Sequence, residues 1–205
     1  MREPWRVIEI RAARRTDADG IAAAHIEGWR VGYRDLLPDD FLDAPEFAAE
    51  RLARWRAWRW PDFAPGGQLF VAVLAGQVVG FGHCGPERLQ ATCDQSGGAN
   101  PGQVAFADAR GEVYGFYLHP TAWGSGAATA LMARCSAHLR GAGFPSAVLW
   151  VLRDNPRARG FYEKAGWAPT GRELLFLGPQ TTAALPTPLP EVQYATVLLT
   201  ATEQV

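Results

Sequence analysis

The segment from Glu112 to about Leu139 constrains this chain more than any other. Glu112–Leu118 reads as a strand, and the stretch from about Gly124 has helical spacing, with Ala128, Leu131, Cys135 and Leu139 on one face. Between them lies His119-Pro120-Thr121-Ala122-Trp123-Gly124-Ser125-Gly126-Ala127-Ala128-Thr129. Glycines let backbone amides approach a ligand with no Cβ in the way, and a helix start adds unsatisfied N–H groups and a positive dipole end. Such a turn suits a pyrophosphate; an ordinary glycine turn is the alternative reading. A P-loop is excluded, because no lysine follows the glycines. The dinucleotide fingerprint G-x-G-x-x-G is met at Gly124 and Gly126, but Thr129 stands in the last place. Asp154 could serve as its ribose-binding acid, yet fewer than about sixty residues remain after Ser146, too few for the rest of a doubly wound domain.

Around this segment strands and helices alternate. Val7–Arg11 reads as a first strand. Thr16 reads as an N-cap for a helix running to about Arg30, with Ile21, Ala24, His25 and Gly28 on one face. Leu36–Asp40 reads as a loop. Pro45 opens a second helix that carries Phe47, Arg51, Leu52, Trp55 and Trp58. Leu69–Leu74 and Val78–Cys84, joined by Ala75-Gly76-Gln77, form a hairpin. Residues 85–110 lack periodicity and read as a long surface loop. Ala147–Leu152 is a continuous apolar run suited to a buried strand, and Pro156–Ala165 a short helix stopped by Gly166. Glu173–Leu177 and Glu191–Leu199 are further strands, separated by a proline-rich loop at 185–190. The pattern is α/β or α+β, a mixed sheet between helices, in a single domain over 1–205.

Composition narrows the function classes. Lys+Arg 20 against Asp+Glu 21 gives a net charge of −1, which argues against nucleic-acid binding by bulk charge. No apolar run approaches the ~20 residues of a membrane span, and residues 1–6 lack the apolar core of a secretory signal. Cys84, Cys93 and Cys135 are an odd number without a C-x-x-C pair, so neither a disulfide framework nor a structural zinc is supported, and a reducing cytoplasm is the default. His25, His83, His119 and His138 show no metal-ligand spacing with the cysteines and read as structural.

A second motif completes the picture. Asn155-Pro156-Arg157-Ala158-Arg159-Gly160-Phe161-Tyr162-Glu163-Lys164-Ala165-Gly166-Trp167 follows the buried strand Leu149–Leu152. Together with Gly126 and Ala128 at the glycine turn, it resembles the acyl-CoA-binding core of the GNAT acyltransferase superfamily. That family's signature at the turn is Gln/Arg-x-x-Gly-x-Gly/Ala; Trp123 stands in place of its first residue, removing one side-chain donor while leaving the backbone cradle. The opening segment with Trp29 and Tyr33–Pro38, and Glu191–Tyr194 near the end, also resemble small bacterial members. The resemblance implies a mixed sheet with a splayed parallel pair, and acetyl-CoA as co-substrate with no metal. It places coenzyme A between the 112–118 and 147–152 strands. The backbone of Phe116, Tyr117 and Leu118 would pair with pantetheine, as an added strand does. The amides of Gly124, Ser125, Gly126, Ala127, Ala128 and Thr129 would take the pyrophosphate, and Asn155, Ala158 and Tyr162 would complete the cofactor side.

Acyl transfer to a primary amine needs a neutral amine, a stabilised oxyanion and a protonated leaving thiolate. By resemblance, Glu112 is the candidate base, eleven residues before Trp123, with a surface or structural glutamate as the alternative. Tyr162 is the candidate acid, since a phenol of pKa ~10 can donate to a thiolate; a packed core aromatic is its alternative. By resemblance only, the N–H of Leu118 is the candidate oxyanion donor. Asn155 also suits an N-cap, with Pro156 next to it. Trp29, Tyr33, Trp55, Trp58 and Trp60 line an acceptor pocket or form an aromatic core, and Glu87, Asp94 and Asp108 attract a cationic acceptor or are solvated loop acids. The expected partner is a small-molecule or peptide amine, without nucleic acid or membrane, and a homodimer is compatible with the sequence. Direct transfer in a ternary complex is the expected route, with a non-catalytic acyl-CoA sensor as the competing function.

Overall fold

The computed structural model describes residues 7–58, 60, 63, 65–88, 106–176 and 188–198. Seven strands hydrogen-bond in the order β1-β2-β3-β4-β5-β7-β6: β1 Ile8–Ala12, β2 Gln68–Leu74, β3 Gln77–Arg88, β4 Phe106–Leu118, β5 Ser146–Leu152, β6 Ala168–Phe176 and β7 Leu189–Val197. The helices are α1 Ala18–Gly32, the single turn α2 Asp39–Leu42, α3 Pro45–Ala57, α4 Ala127–Gly141 and α5 Pro156–Lys164. No helix among the described residues is long and apolar enough to cross a membrane. The chain divides into two compact units: Met1–Asp62, Gln68–His83 and Gly115–Cys135 form the first, and Phe63–Gly67, Cys84–Tyr114 and Ser136–Val205 the second.

In the first unit, β1 pairs antiparallel with β2, from Ile8↔Leu74 to Ala12↔Phe70. Strand β2 is buried from Leu69 to Val73, and that continuous apolar run is what lets it take an interior place. Helix α1 turns Ile21, Ala22, Ala24 and Trp29 inward; α3, opened by Pro45, turns in Phe47, Arg51 and Trp55. Helix α4 packs Leu131 and Cys135 so closely on Gly82 that a Cβ there would stand 2.7 Å from the Cys135 sulfur. The cap at the start of α1 differs from expectation. Thr16 lies in a short 3-10 turn, and the buried Asp17 carboxylate instead accepts two bonds from the Arg11 guanidinium, at 2.7 and 2.8 Å, and one from the Arg14 amide. A full guanidinium fork on β1 outcompetes a local hydroxyl cap.

In the second unit, β4 and β5 are parallel through Gly111↔Ala147, Glu112↔Val148 and Val113↔Leu149. This ladder stops at Val113, although β4 continues to Leu118, the short parallel pairing that the expected splay requires. Strand β7 returns antiparallel along all of β5 and pairs on its other side with β6, where Gly171 sits at a register shift. The fully buried Tyr194 of β7 ties this sheet to α5: its hydroxyl donates to Glu163 at 2.8 Å and accepts from Arg159 at 3.0 Å.

The ends of the expected 85–110 loop are corrected. β3 runs through to Arg88 and β4 begins at Phe106, so only 89–105 lies between the strands, outside the described residues. Glu87 is not a solvated loop acid: it is 7% exposed and paired with Arg110 at 2.7 Å. Its polar neighbours mask a strand because the charges are neutralised across to β4, a long-range fact. Asp94, and the side chain of Asp108, lie outside the described residues. The 36–40 segment also contains the start of the single-turn α2, and the proline-rich stretch ends inside β7, at Leu189 and Pro190.

The β2–β3 hairpin turns on two residues, Ala75 at φ 50° and Gly76 at φ 77°. Two consecutive left-handed residues make the turn whose twist matches paired strands, and alanine is poorly suited to the first position. Ala75→Asn, which makes the preferred Asn-Gly pair, is expected to raise unfolding free energy by about 0.5–1 kcal/mol. Chemical denaturation with an unchanged m-value checks this.

Candidate active site

The glycine turn lies in the first unit. β4 ends at Leu118, a 3-10 turn spans Pro120–Ala122, and α4 starts at Ala127. Gly124 and Gly126 hold φ of 76° and 91°, a region costly for any residue with a Cβ. The Gly126 carbonyl accepts the first helical bond, from Ala130 at 3.1 Å. Ser125 Oγ donates to the Ala122 carbonyl at 2.6 Å and accepts from the Ala127 amide at 3.2 Å. Among the described residues, the amides of Gly126, Ala128 and Thr129 find no hydrogen-bond acceptor. A helix start with three unused donors, a positive dipole end and exposed glycines fits the anionic pyrophosphate of coenzyme A.

Upstream of the turn, the His119 amide donates to the Val79 carbonyl on β3 at 2.7 Å. Successive N–H groups of an extended strand point to opposite sides, so that of Leu118 points away from β3. The same segment carries Phe116, whose ring lies near Gly82, and Tyr117, whose ring lies 4.6 Å from His25. His25 accepts from Trp55 Nε1 at 3.1 Å through Nδ1, and burial first, then the charges of Arg51 and Arg54, pull its pKa well below the ordinary imidazole range. Trp29 and Trp55 are buried; Tyr33, Trp58 and Trp60 are half-buried. These aromatics therefore serve as core at least in part, with Trp55 stacked on Trp58.

The second unit holds Glu112, Asn155, Ala158 and Tyr162. Asn155 caps α5, its Oδ1 accepting from the Ala158 amide at 3.0 Å, with Pro156 at the first helical position. Tyr162 is 7% exposed and packs beside Phe161 and Tyr194. Glu112 is 2% exposed, and both its oxygens engage Arg88: Nη2 donates to Oε1 at 2.6 Å, and the Arg88 amide donates to Oε2 at 2.8 Å. Sequence reasoning missed Arg88, because it fell within the presumed loop. It also gave no role to Glu191. Register places Glu112 with Val148, and Leu152 with Glu191, so Glu112 and Glu191 share one sheet face. Loss of solvent raises the Glu191 pKa to about 7; Arg88 opposes the shift and Glu112 adds to it. Among the described residues no group of His, Cys, Asp and Glu is arranged to hold a metal, and Cys84 and Cys135 are buried free thiols.

Residues 29–167 match the acetyltransferase (GNAT) family, and the chain belongs to it. It is an acetyl-CoA-dependent N-acetyltransferase, a class that acts on amine acceptors. An uncharacterized N-acetyltransferase of Bacillus subtilis, YuaI, is 28% identical over 151 residues, covering 73% of this chain and 75% of its own. Among solved structures, PaiA N-acetyltransferase of Thermoplasma acidophilum, in complex with coenzyme A, superposes with TM-score 0.61 at 14% identity, over 93% of this chain and 99% of its own. YncA of Salmonella typhimurium, with its cofactor acetyl-CoA, gives TM-score 0.57 at 19% identity, over 94% of each chain.

Two outcomes follow from this geometry. Gly126→Val forces a β-branched residue into φ 91° at the carbonyl that starts α4, and is expected to weaken coenzyme A binding at least ~10-fold, measured by calorimetric titration. Glu191, with its folded pKa raised from 4.5 to about 7, contributes stability that is complete below the unfolded value and lost as pH rises through about 7. Glu191→Gln removes that loss, so above pH ~7 it should gain on the order of 2 kcal/mol over the parent protein, and little below pH ~4.5. Urea unfolding across pH reads the difference.

Proposed function

We propose that this protein moves the acetyl group of acetyl-CoA onto a primary amine by direct attack, in a single-domain cytoplasmic enzyme. The observation that carries the reading is the set of unused amides at Gly126, Ala128 and Thr129, which suits the pyrophosphate. The backbone of Phe116–Leu118 receives the pantetheine as an added strand, and Asn155 and Ala158 contribute to the same ligand. The Leu118 N–H donates to the oxygen that gains charge when the amine attacks the thioester carbon. As the C–S bond breaks, the Tyr162 hydroxyl gives its proton to sulfur. The ammonium proton leaves through Glu112, directly or by water. Glu191 on the same face offers a carboxyl whose pKa of about 7 is matched to receiving it at neutral pH. Direct transfer is favoured because Cys84 and Cys135 are buried and neither lies on the 116–129 segment.

One observation favours the competing reading, a non-catalytic acyl-CoA sensor: both oxygens of Glu112 are taken by Arg88. An acetyl-CoA-dependent screen of amines with thiol detection separates the two, since a sensor binds acetyl-CoA and releases no thiol. Tyr162→Phe keeps the packed ring and deletes the hydroxyl. The expected result is lower kcat with similar acetyl-CoA Kd and melting temperature, and a smaller loss with an acyl donor whose leaving thiol is more acidic. Weaker donor binding at unchanged kcat would reassign Tyr162 to the binding shell.

A further inference from the structure

Helix α3 places a charge where its pattern calls for an apolar residue. Phe47, Arg51 and Trp55 are spaced four apart, share one helix face and are all buried, with Arg51 only 6% exposed. Arginine is almost never this buried without a partner. Its guanidinium carbon lies 3.4 Å from the Phe47 ring centroid and 4.6 Å from that of Trp29, and Nη1 donates to the Phe47 carbonyl at 3.1 Å. Nε is buried with no hydrogen-bond partner among the described residues. Among the described residues no carboxylate is found in an ion pair with Arg51; the nearby Tyr117, Glu50 and Tyr33 favour its charge and Arg54 opposes it. Burial pulls its pKa down to about 10, still far above neutrality, so the group is a cation short of an anion.

The surroundings indicate which ligand supplies it. The neighbours are aromatic: Trp29 lies 6.1 Å from His25, whose Nδ1 accepts from Trp55 and whose ring lies tilted 4.6 Å from that of Tyr117. Tyr117 belongs to the β4 segment assigned above to the thioester end of acetyl-CoA. With Phe47 and Trp29 against the guanidinium carbon and Nη1 bonded to the Phe47 carbonyl, the Nε side of the fork is the part left for a ligand, and a planar carboxylate matches that edge better than a tetrahedral phosphate. We propose that Arg51 binds the carboxylate of the acceptor, which makes the acceptor an amino acid or a similar amine bearing a carboxylate. This assignment rests on the reading of the chain as an amine acetyltransferase.

The test compares amino acids, their carboxamides and their phosphonate analogues in acetyl transfer, and separately compares N-acetyl amino acids with N-acetyl amino amides in thermal stabilisation. The parent protein should prefer the acid over the amide by ~10-fold or more in kcat/KM, and only the acid should raise the melting temperature. Arg51→Met should abolish both preferences while leaving the acetyl-CoA Kd unchanged, and Arg51→Lys should keep part of them. Equal transfer to acids and amides, or a preference for phosphonates, overturns the assignment and leaves the acetyltransferase reading intact. Acid-selective stabilisation without transfer to any amine supports the Arg51 site and overturns the enzyme reading. If neither Arg51 variant folds, equal stabilisation of the parent by acid and amide still overturns the proposal.

Discussion

The constraint on which the site depends is the passage from β4 into α4. A chain leaving Leu118 has eight residues before Ala127 in which to reverse, and it does so with two left-handed residues, Gly124 and Gly126. The reversal leaves helix amides with no acceptor among the described residues. Ser125 blunts this by covering the Ala127 amide, and the remaining donors stay open to the outside. The anion site proposed here is therefore a by-product of chain geometry: the backbone that closes the fold also presents the donors.

Charge placement within the second unit follows a different logic. Arg88 and Glu112 are both strand residues, and their pair neutralises two groups that would be prohibitive singly. Removing one partner of such a pair generally costs more than the pair contributes, so Arg88 is as much a part of the Glu112 position as the glutamate itself. Glu191, on the same face, keeps a raised pKa chiefly because burial strips its solvent, with Arg88 opposing the shift and the Glu112 charge adding to it.

Features encoded in a few adjacent residues were legible in the sequence. Pro45 at a helix start, Asn155-Pro156 as cap and first position, and a hairpin turning at Ala75-Gly76, one residue shorter than the turn read from the sequence, appear where local chemistry puts them. The glycine turn was legible for the same reason. What was not legible depends on distant partners. Glu87 and Arg88 looked like loop residues because the cations and carboxylates that neutralise them sit more than twenty positions away on β4. Thr16 looked like a cap because Arg11, which recruits Asp17 instead, lies on a strand. The environment of Glu191 is set by cross-strand register, which a single strand's pattern does not contain.

The open amides beside Gly126 also bear on how long the protein lasts in a cell. A ligand that satisfies them binds the folded chain and not the unfolded one, and so adds to folding free energy by mass action, ~2.7 kcal/mol at a hundred times its Kd. Proteases that cut the transiently open chain follow that same equilibrium when opening is fast. With the acyl donor placed as proposed, the abundance of this protein would follow the donor's supply, through three N–H groups at the start of one helix that have no acceptor among the described residues.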